Sequence, residues 1–113
     1  MANVPLSIVK CQTQEQLEEL IVTNKKVVVL YYSHAMPGGK AAEDKMHECA
    51  RELEESGIRI PFVLVNYADF TEDGSKVLPP TKFQIITYFD GNQHASTSDS
   101  DELQRIVDFD GLL

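Results

Sequence analysis

Residues 27–40 read VVVLYYSHAMPGGK and divide into two parts. The continuous apolar run from Val27 to Leu30 is typical of a central strand that is buried on both faces. The Pro-Gly-Gly sequence at 37–39 favours a turn, and an amphipathic helix pattern begins at Lys40. This stretch therefore predicts a buried strand that turns directly into a helix, with the first N–H groups of that helix facing outward.

The size and charge of the chain limit its class. Its 113 residues suffice for one hydrophobic core, so we expect a single domain over residues 1–113. The balance of 18 acidic against 10 basic residues gives a net charge of −8. Because this charge repels phosphate backbones and anionic lipid surfaces, we expect neither nucleic acid nor a membrane as a partner.

The sequence lacks recognisable targeting signals, and its two cysteines bear on the compartment in which the protein is expected. No stretch of the sequence approaches the roughly 20 apolar residues that span a bilayer, and the N-terminus lacks the pattern of a signal peptide. The two cysteines, Cys11 and Cys49, lie far apart in the sequence, and no Asn-x-Ser/Thr acceptor suggests secretion. These observations predict a cytoplasmic protein with reduced thiols.

Strand and helix patterns alternate along the chain. We predict strands at residues 7–11, 27–30, 58–65, 83–89 and 93–97, and helices at 14–24, 40–55 and 98–109. Thr13 and Gln16 match a capping box at the start of the first helix, and Asn24 suits a left-handed cap at its end. Residues 66–80 favour turns, with at most a short helix around residues 72–78.

The second helix has a clear apolar face. Its apolar residues follow i, i+4, i+7, i+8 and i+11, which places them on one stripe; they are Ala42, Met46, Cys49, Ala50 and Leu53. The acidic residues that include Glu43 are expected on the opposite, solvated face.

This order of elements resembles that of the thioredoxin family. VVVLYYSHAMPGGK stands where the family has an apolar strand that runs into Trp-Cys-Gly-Pro-Cys-Lys, and a late strand turns at Asp90-Gly91. The resemblance covers nearly the whole chain. It implies an α/β, thioredoxin-like fold in which helices flank a central mixed sheet of about five strands, in the order βαβαβ(α)ββα.

The residues that carry the family's redox chemistry are replaced. Matching the motif at Lys40 without gaps places Met36 on the first cysteine and Gly39 on the second. The family chemistry needs a thiolate at the helix N-terminus and a second thiol to resolve the mixed disulfide, and neither residue supplies one. Leu30 takes the place of the family's buried Asp. The resemblance thus implies degenerate active-site positions at Met36, Gly39 and Leu30 and no catalytic residues, and we expect that the chain is not an enzyme.

A third family feature is a cis-proline that faces the cysteines. Counting back from Asp90-Gly91 without gaps places it at Phe83-Gln84, whereas the actual Pro80-Thr81 pair lies three residues earlier. Lys82 stands where the family has an apolar residue, which favours loss of the feature. A longer hairpin would instead make Pro80 the cis residue.

The remaining cysteines and histidines suggest neither a cofactor nor a metal. Cys49 lies on the apolar stripe and Cys11 ends the first strand, so buried, inert thiols are favoured. The alternative is a residual thiol-disulfide oxidoreductase or a regulatory disulfide that uses the two. His34, His47 and His94 lack the i, i+4 spacing of a metal site.

We therefore predict a protein-binding module that holds another protein or an extended peptide segment in a groove around the turn. Exposed Met, Tyr and Phe side chains would form an adaptable apolar patch there. The predicted groove residues are Ala35, Met36, Pro37, Gly38, Tyr67, Thr81, Lys82 and Phe83. A structural subunit whose sheet edge at residues 93–97 packs on a neighbour, including a second copy, is a further alternative.

Overall fold

The structure is a computed structural model that describes residues 7–68, 70–72, 75–76 and 82–107. Within these ranges the strands are β1 (Ile8–Lys10), β2 (Lys26–Tyr32), β3 (Phe62–Asn66), β4 (Thr71–Glu72), β5 (Ser75–Lys76), β6 (Gln84–Phe89) and β7 (Asn92–Thr97). The helices are α1 (Gln14–Thr23), α2 (Gly39–Glu55) and α3 (Leu103–Val107), the last preceded by a 3-10 turn at Ser100–Glu102. None of the helices in this described part is long and apolar enough to cross a bilayer.

Five strands form the central sheet in the order β1-β3-β2-β6-β7. Strand β3 runs parallel to both β1 and β2, whereas β6 is antiparallel to β2 and to β7. Parallel neighbours require crossover connections, and α1 and α2 supply them. The predicted α/β class with a mixed sheet of about five strands is confirmed.

The apolar run in β2 is buried on both faces, as predicted. Val28 and Leu30 belong to the core cluster that α2 covers, while Val27 and Val29 belong to the cluster that contains Leu17 of α1. Alternate side chains of a strand point to opposite faces, so the two helices lie on opposite sides of the sheet.

The first helix begins at its predicted cap. The Thr13 hydroxyl accepts a hydrogen bond from the Gln16 N–H at 3.2 Å, and the Gln16 side chain accepts one from the Gln12 N–H at 3.0 Å. The prediction for the other end is wrong, because Asn24 is extended with φ −119° rather than left-handed. Its side-chain amide instead donates to the Leu20 carbonyl at 2.9 Å, which satisfies an open acceptor of the last turn.

The second helix begins one residue before its predicted start and buries the predicted stripe. Gly57 follows it with φ +81°, a backbone conformation that favours glycine. The Ile58 N–H then donates to the Leu53 carbonyl at 2.8 Å and closes the end of the helix. This closure sends the chain back toward the sheet.

The structure corrects the predicted start of the third strand and the helix predicted after it. Strand β3 begins at Phe62 rather than at residue 58, since β3 is a central strand and Pro61 has no N–H to contribute to it; the Pro61 carbonyl still accepts from the Val28 N–H at 3.0 Å. The short helix expected around residues 72–78 is not found at the described residues of that stretch, because β4 and β5 pair antiparallel at residues 71–72 and 75–76.

The ends of the late elements also differ from the predictions. Strand β6 begins at Gln84 instead of Phe83, and β7 begins at Asn92. Asp90 and Gly91 form the predicted hairpin turn, with φ values of +51° and +84°. The last helix begins at Leu103, after the 3-10 turn, rather than at the predicted residue 98, and Phe109 lies outside the described residues.

Candidate functional site

The turn at residues 33–38 joins the carboxyl end of β2 to the first residue of α2. Its backbone is held by two hydrogen bonds, from the Met36 N–H to the Ser33 carbonyl and from the Gly39 N–H to the Met36 carbonyl, each 3.0 Å long. The Ala35 N–H also donates to the Ser33 hydroxyl at 3.2 Å. Gly38 caps the helix with φ +77°, which a residue with a side chain rarely adopts. The turn is therefore tightly folded.

Gly39 has no room for a side chain. A Cβ atom at this position would lie 2.2 Å from the Ser33 carbonyl oxygen, which is backbone and part of the turn itself. The resemblance aligns Gly39 with the second cysteine of the family motif, and that alignment is still a prediction. In this geometry a cysteine at position 39 would require the turn to move.

Met36 and Phe83 are buried, with 8% and 7% of their surfaces exposed. The expectation that they form an exposed apolar patch is wrong. The Phe83 ring lies over the turn, and its Cε2 atom is 3.0 Å from the point where a Cβ on Gly38 would stand. Because Gly38 has no side chain, the ring can close over the turn in this way.

Among the predicted groove residues, the structure brings the turn and Phe83 together. Met36 and Phe83 belong to the same core cluster, and the partly buried Tyr67 packs against that cluster. Ala35, Pro37, Gly38 and Lys82 are exposed around them. Thr81 and the Pro80 whose isomer was in question lie outside the described residues, so their part in the groove is still a prediction.

A hydrogen-bonded carboxylate anchors this turn to α2, and sequence reasoning missed it. The Tyr32 hydroxyl donates to Glu43 Oε2, His34 Nε2 lies 2.9 Å from the same oxygen, and Lys40 Nζ lies 3.3 Å from Oε1. The Glu43 side chain is only 14% exposed, although it was assigned to the solvated face. The i, i+3 spacing of Lys40 and Glu43 was the one local signal, since the other two contacts come from β2 and the turn.

The environment of Glu43 keeps it ionised. Burial acts to raise its pKa, but the hydrogen bonds from Tyr32, His34 and Lys40 outweigh burial and lower the pKa to about 2. An ionised carboxylate can only accept, so His34 Nε2 must carry the proton of their shared hydrogen bond. The side chain of His34 is itself 56% exposed.

Both cysteines are buried, as predicted, with 3% of Cys11 and 4% of Cys49 exposed. They belong to the core clusters on opposite faces of the sheet, so the sheet separates them. Burial raises the pKa of both thiols, and burial together with Glu52 and Glu48 raises the pKa of Cys49 to about 11. A disulfide requires closely placed Cα atoms, and this fold does not bring the two cysteines together.

Comparison with solved structures identifies the fold, whereas no protein-family model and no curated protein matches the chain. A thioredoxin of Plasmodium falciparum matches with a TM-score of 0.66 and 13% identity, over 88% of this chain and 96% of its own. Mitochondrial thioredoxin 3 of Saccharomyces cerevisiae matches with a TM-score of 0.66 and 14% identity, over 93% and 97% of the two chains. A putative oxidoreductase with a thioredoxin fold matches with a TM-score of 0.60 and 16% identity, over 88% and 92%. The chain therefore has a thioredoxin-like fold.

The same comparison corrects one expectation. We expected a chain that is not an enzyme, because Met36 and Gly39 supply no thiol. The similar structures are thioredoxins and a putative oxidoreductase, which are enzymes, so that expectation is wrong. The composition of the turn is no ground for excluding an activity, and Cys11 and Cys49 are the thiols that a test of such activity has to address.

Proposed function

We propose that this thioredoxin-like protein binds an extended segment of another protein at the surface around the turn. This turn surface consists of Ala35, Met36, Pro37, Gly38, Tyr67, Thr81, Lys82 and Phe83. The observation that carries the proposal is the contact of the Phe83 ring with Gly38, which joins the turn to the segment that leads into β6. Two parts of the chain that are far apart in sequence thus form one surface.

The exposure of these residues supports an extended ligand. Met36 and Phe83 are buried, and Tyr67 packs against the core cluster that contains them. In this proposal the three side chains form an apolar floor. The rim above them carries small side chains or none, at Ala35 and Gly38, so a peptide backbone can approach closely. If a bound peptide shifts the Met36 and Phe83 side chains slightly, it contacts the polarisable thioether of Met36 and the aromatic ring of Phe83. Both side chains can adjust to ligands of different shape.

The Glu43 anchor supports binding by holding the turn in place. Tyr32 and His34 attach the base of the turn to a charged residue of α2. A surface that is ordered before it binds loses less conformational freedom on binding. In this proposal Met36, Gly39 and Leu30 occupy the places of the family's redox residues, and the partner is a protein of the cytoplasm rather than a nucleic acid or a membrane.

The test uses changes on the exposed rim, because charges at Met36 or Phe83 would disturb the core. Peptides are selected from a random library on the wild-type protein and their affinities are measured against an Ala35→Glu, Pro37→Glu double variant. We expect the double variant to bind the selected peptides at least tenfold more weakly. Amide chemical shifts should change mainly at residues 34–36, 38 and 82–83 on binding.

The matched control is Val22→Glu on α1, which is 71% exposed and lies near the opposite end of the sheet. This variant should bind as the wild type does. Thermal unfolding of all three proteins shows whether the fold is kept. Peptides that bind the rim variant and the wild type equally, or that shift amides elsewhere, would exclude the turn surface as the binding site.

A further inference from the structure

One edge of the central sheet is open at strand β1. The Ser7 carbonyl and the Cys11 N–H bond to β3, at 2.8 and 3.0 Å, and the backbone groups of successive residues in a strand alternate in direction. Those of Ile8 and Lys10 therefore point away from β3. In the part of the chain that the structure describes, no strand pairs with β1 on that side. Backbone groups at such an edge are a template for a further strand.

The open edge ends where α1 reaches it. The next outward N–H is that of Gln12, which donates to the Gln16 side chain at 3.0 Å. Among the described residues, the open groups are therefore one N–H and one carbonyl at each of Ile8 and Lys10. Lys10 is exposed and Ile8 is partly buried, so an added strand can approach both residues.

A groove of about 320 Å³ lies between β1 and α1. The residues that α1 contributes follow i, i+3, i+4 and i+7 and so share one stripe of the helix; they are Gln16, Glu19, Leu20 and Thr23. Strand β1 contributes Val9 and Cys11, which point to the α1 side of the sheet. Side chains of an added strand that point to this side would enter the groove.

The helix side of the groove is negative. Helix α1 carries Glu15, Glu18 and Glu19 and no basic residue, and Glu19 is the one of these three that lines the groove. Lys10 also lines the groove, but the alternation of strand side chains points its side chain to the opposite face of the sheet, with Ile8. The charge that a ligand meets inside the groove is therefore that of Glu19.

We propose that the open edge of β1 binds an extended segment of a partner protein as an added strand, in which the side chains that enter the groove are apolar and basic. The backbone groups of Ile8 and Lys10 hold this strand, and the groove selects its side chains. An apolar side chain packs against Val9 and Leu20, and a basic one lies opposite Glu19. The site shares no residue with the turn surface, so it goes beyond the function proposed above.

The charge of the chain favours this partner over a second copy. Antiparallel pairing of two β1 edges would place two α1 helices on the same face of a shared sheet, and neither helix has a basic residue. Each chain also carries a net charge of −8. A basic segment is attracted to this face, whereas a second copy is repelled.

The probe is a capped heptapeptide of the sequence Thr-Lys-Thr-Val-Thr-Lys-Thr, which reads the same in both directions and so can add in either orientation. It is titrated into the ¹⁵N-labelled protein. We expect saturable amide shifts at residues 8–12 and 16–23 and none at residues 34–36. The amide protons of Ile8 and Lys10 should exchange with solvent more slowly in the complex, because both become hydrogen-bonded.

Two control peptides and one pair of variants separate the parts of the interaction. Glutamate in place of both lysines should weaken binding about tenfold, because it is repelled by α1. N-methylation of two adjacent central residues removes a donor toward β1 in either register and should weaken binding about three- to tenfold. Glu19→Gln should weaken binding of the lysine peptide about two- to fivefold, whereas Glu18→Gln, which removes the same charge outside the groove, should change it less than about twofold.

The proposal is overturned by an absence of saturable shifts, by unchanged exchange of the Ile8 and Lys10 amides, or by equal binding of the lysine and glutamate peptides. Equal effects of Glu19→Gln and Glu18→Gln also overturn it. A free protein that sediments as a dimer and already protects these two amides would assign the edge to a second copy instead. Shifts confined to residues 34–36 would place the peptide on the turn surface, so the two proposals fail separately.

Discussion

At the residue scale, the start of α2 depends on the absence of a side chain at Gly39. An added Cβ would stand 2.2 Å from the Ser33 carbonyl oxygen, which cannot move without opening the turn. We expect Gly39→Ala to lower the free energy of unfolding by about 2–3 kcal/mol, as overpacking of a closed site does. Urea unfolding monitored by circular dichroism measures this change.

Gly57→Ala is the control, because Gly57 has φ +81° but open space around its Cβ position. Only the left-handed backbone then opposes the substitution, which should cost about 1 kcal/mol. If Gly39→Ala is no more destabilising than Gly57→Ala, the close contact with Ser33 is not what keeps glycine at position 39.

The Glu43 carboxylate should make stability depend on acid pH. Its folded-state pKa of about 2 lies below the ordinary value of 4.5, so its ionised form stabilises the fold fully above pH 4.5. That contribution is lost as the pH falls through about 2, since protonation removes the charge-assisted hydrogen bonds. We expect Glu43→Gln to be less stable than the wild type by about 1.5 kcal/mol at pH 7, with the difference shrinking between pH 4.5 and 2.

Asp44→Asn is the matched comparison, because Asp44 also contacts Lys40 but its side chain is 64% exposed. Its effect should be small, because an exposed ion pair contributes little to stability. Urea unfolding of the three proteins from pH 2 to 7 measures both effects. An equal and parallel pH dependence for the two variants would mean that the anchor at Glu43 contributes nothing beyond a surface ion pair.

At the element scale, α1 is stabilised at its first turn by the Thr13 hydroxyl. This group accepts the Gln16 N–H at 3.2 Å, and removing an N-cap acceptor costs about 1 kcal/mol. We expect Thr13→Ala to lower the free energy of unfolding by that amount. Thr23→Ala, the same substitution in the last turn of the helix, should change it by less than about 0.5 kcal/mol. Equal effects would contradict a capping role.

Local patterns account for the elements that the sequence predicted well. Three features are specified by residues that are close together in the sequence. They are the run from Val27 to Leu30, the stripe that includes Met46 and the Thr13 cap. The pairing of β4 with β5 was not predicted, because a strand of two residues is too short to show an alternation of apolar and polar side chains. Asn24 was assigned the wrong backbone conformation, because its side chain satisfies the Leu20 carbonyl that a left-handed cap would have satisfied.

The candidate site was less predictable, because its key contacts join distant segments. The fold places Phe83 over Gly38 and brings Tyr32 to Glu43, and no local pattern contains either pair. Met36 is buried in the same core cluster as Phe83, and a local pattern that ends in an exposed turn does not contain this packing. The position of the turn at the end of β2 was predicted correctly, since the chain itself connects the strand to the helix.

At the scale of the whole molecule, two core clusters share one sheet. Val28 and Val29 are neighbours in β2 but belong to different clusters, and Leu64 and Val65 of β3 divide in the same way. If the side chains on one face of the sheet lose their packing, the strands that also carry the core cluster of the other face become exposed. A chain of this size with a shared sheet is expected to unfold in one cooperative step.

The two cysteines allow this expectation to be measured, because Cys11 reports the α1 face and Cys49 the α2 face. Each is isolated by replacing the other with alanine, and its reaction with a disulfide reagent is followed across a urea series. Both thiols are buried, and burial raises the pKa of each, so neither should react in the native state. We expect the reaction of each thiol to appear at the same urea concentration as the circular dichroism transition of the same variant. A thiol that reacts well below that transition would show that its face opens alone, and the shared strands would then be too weakly coupled to make the sheet a single unit.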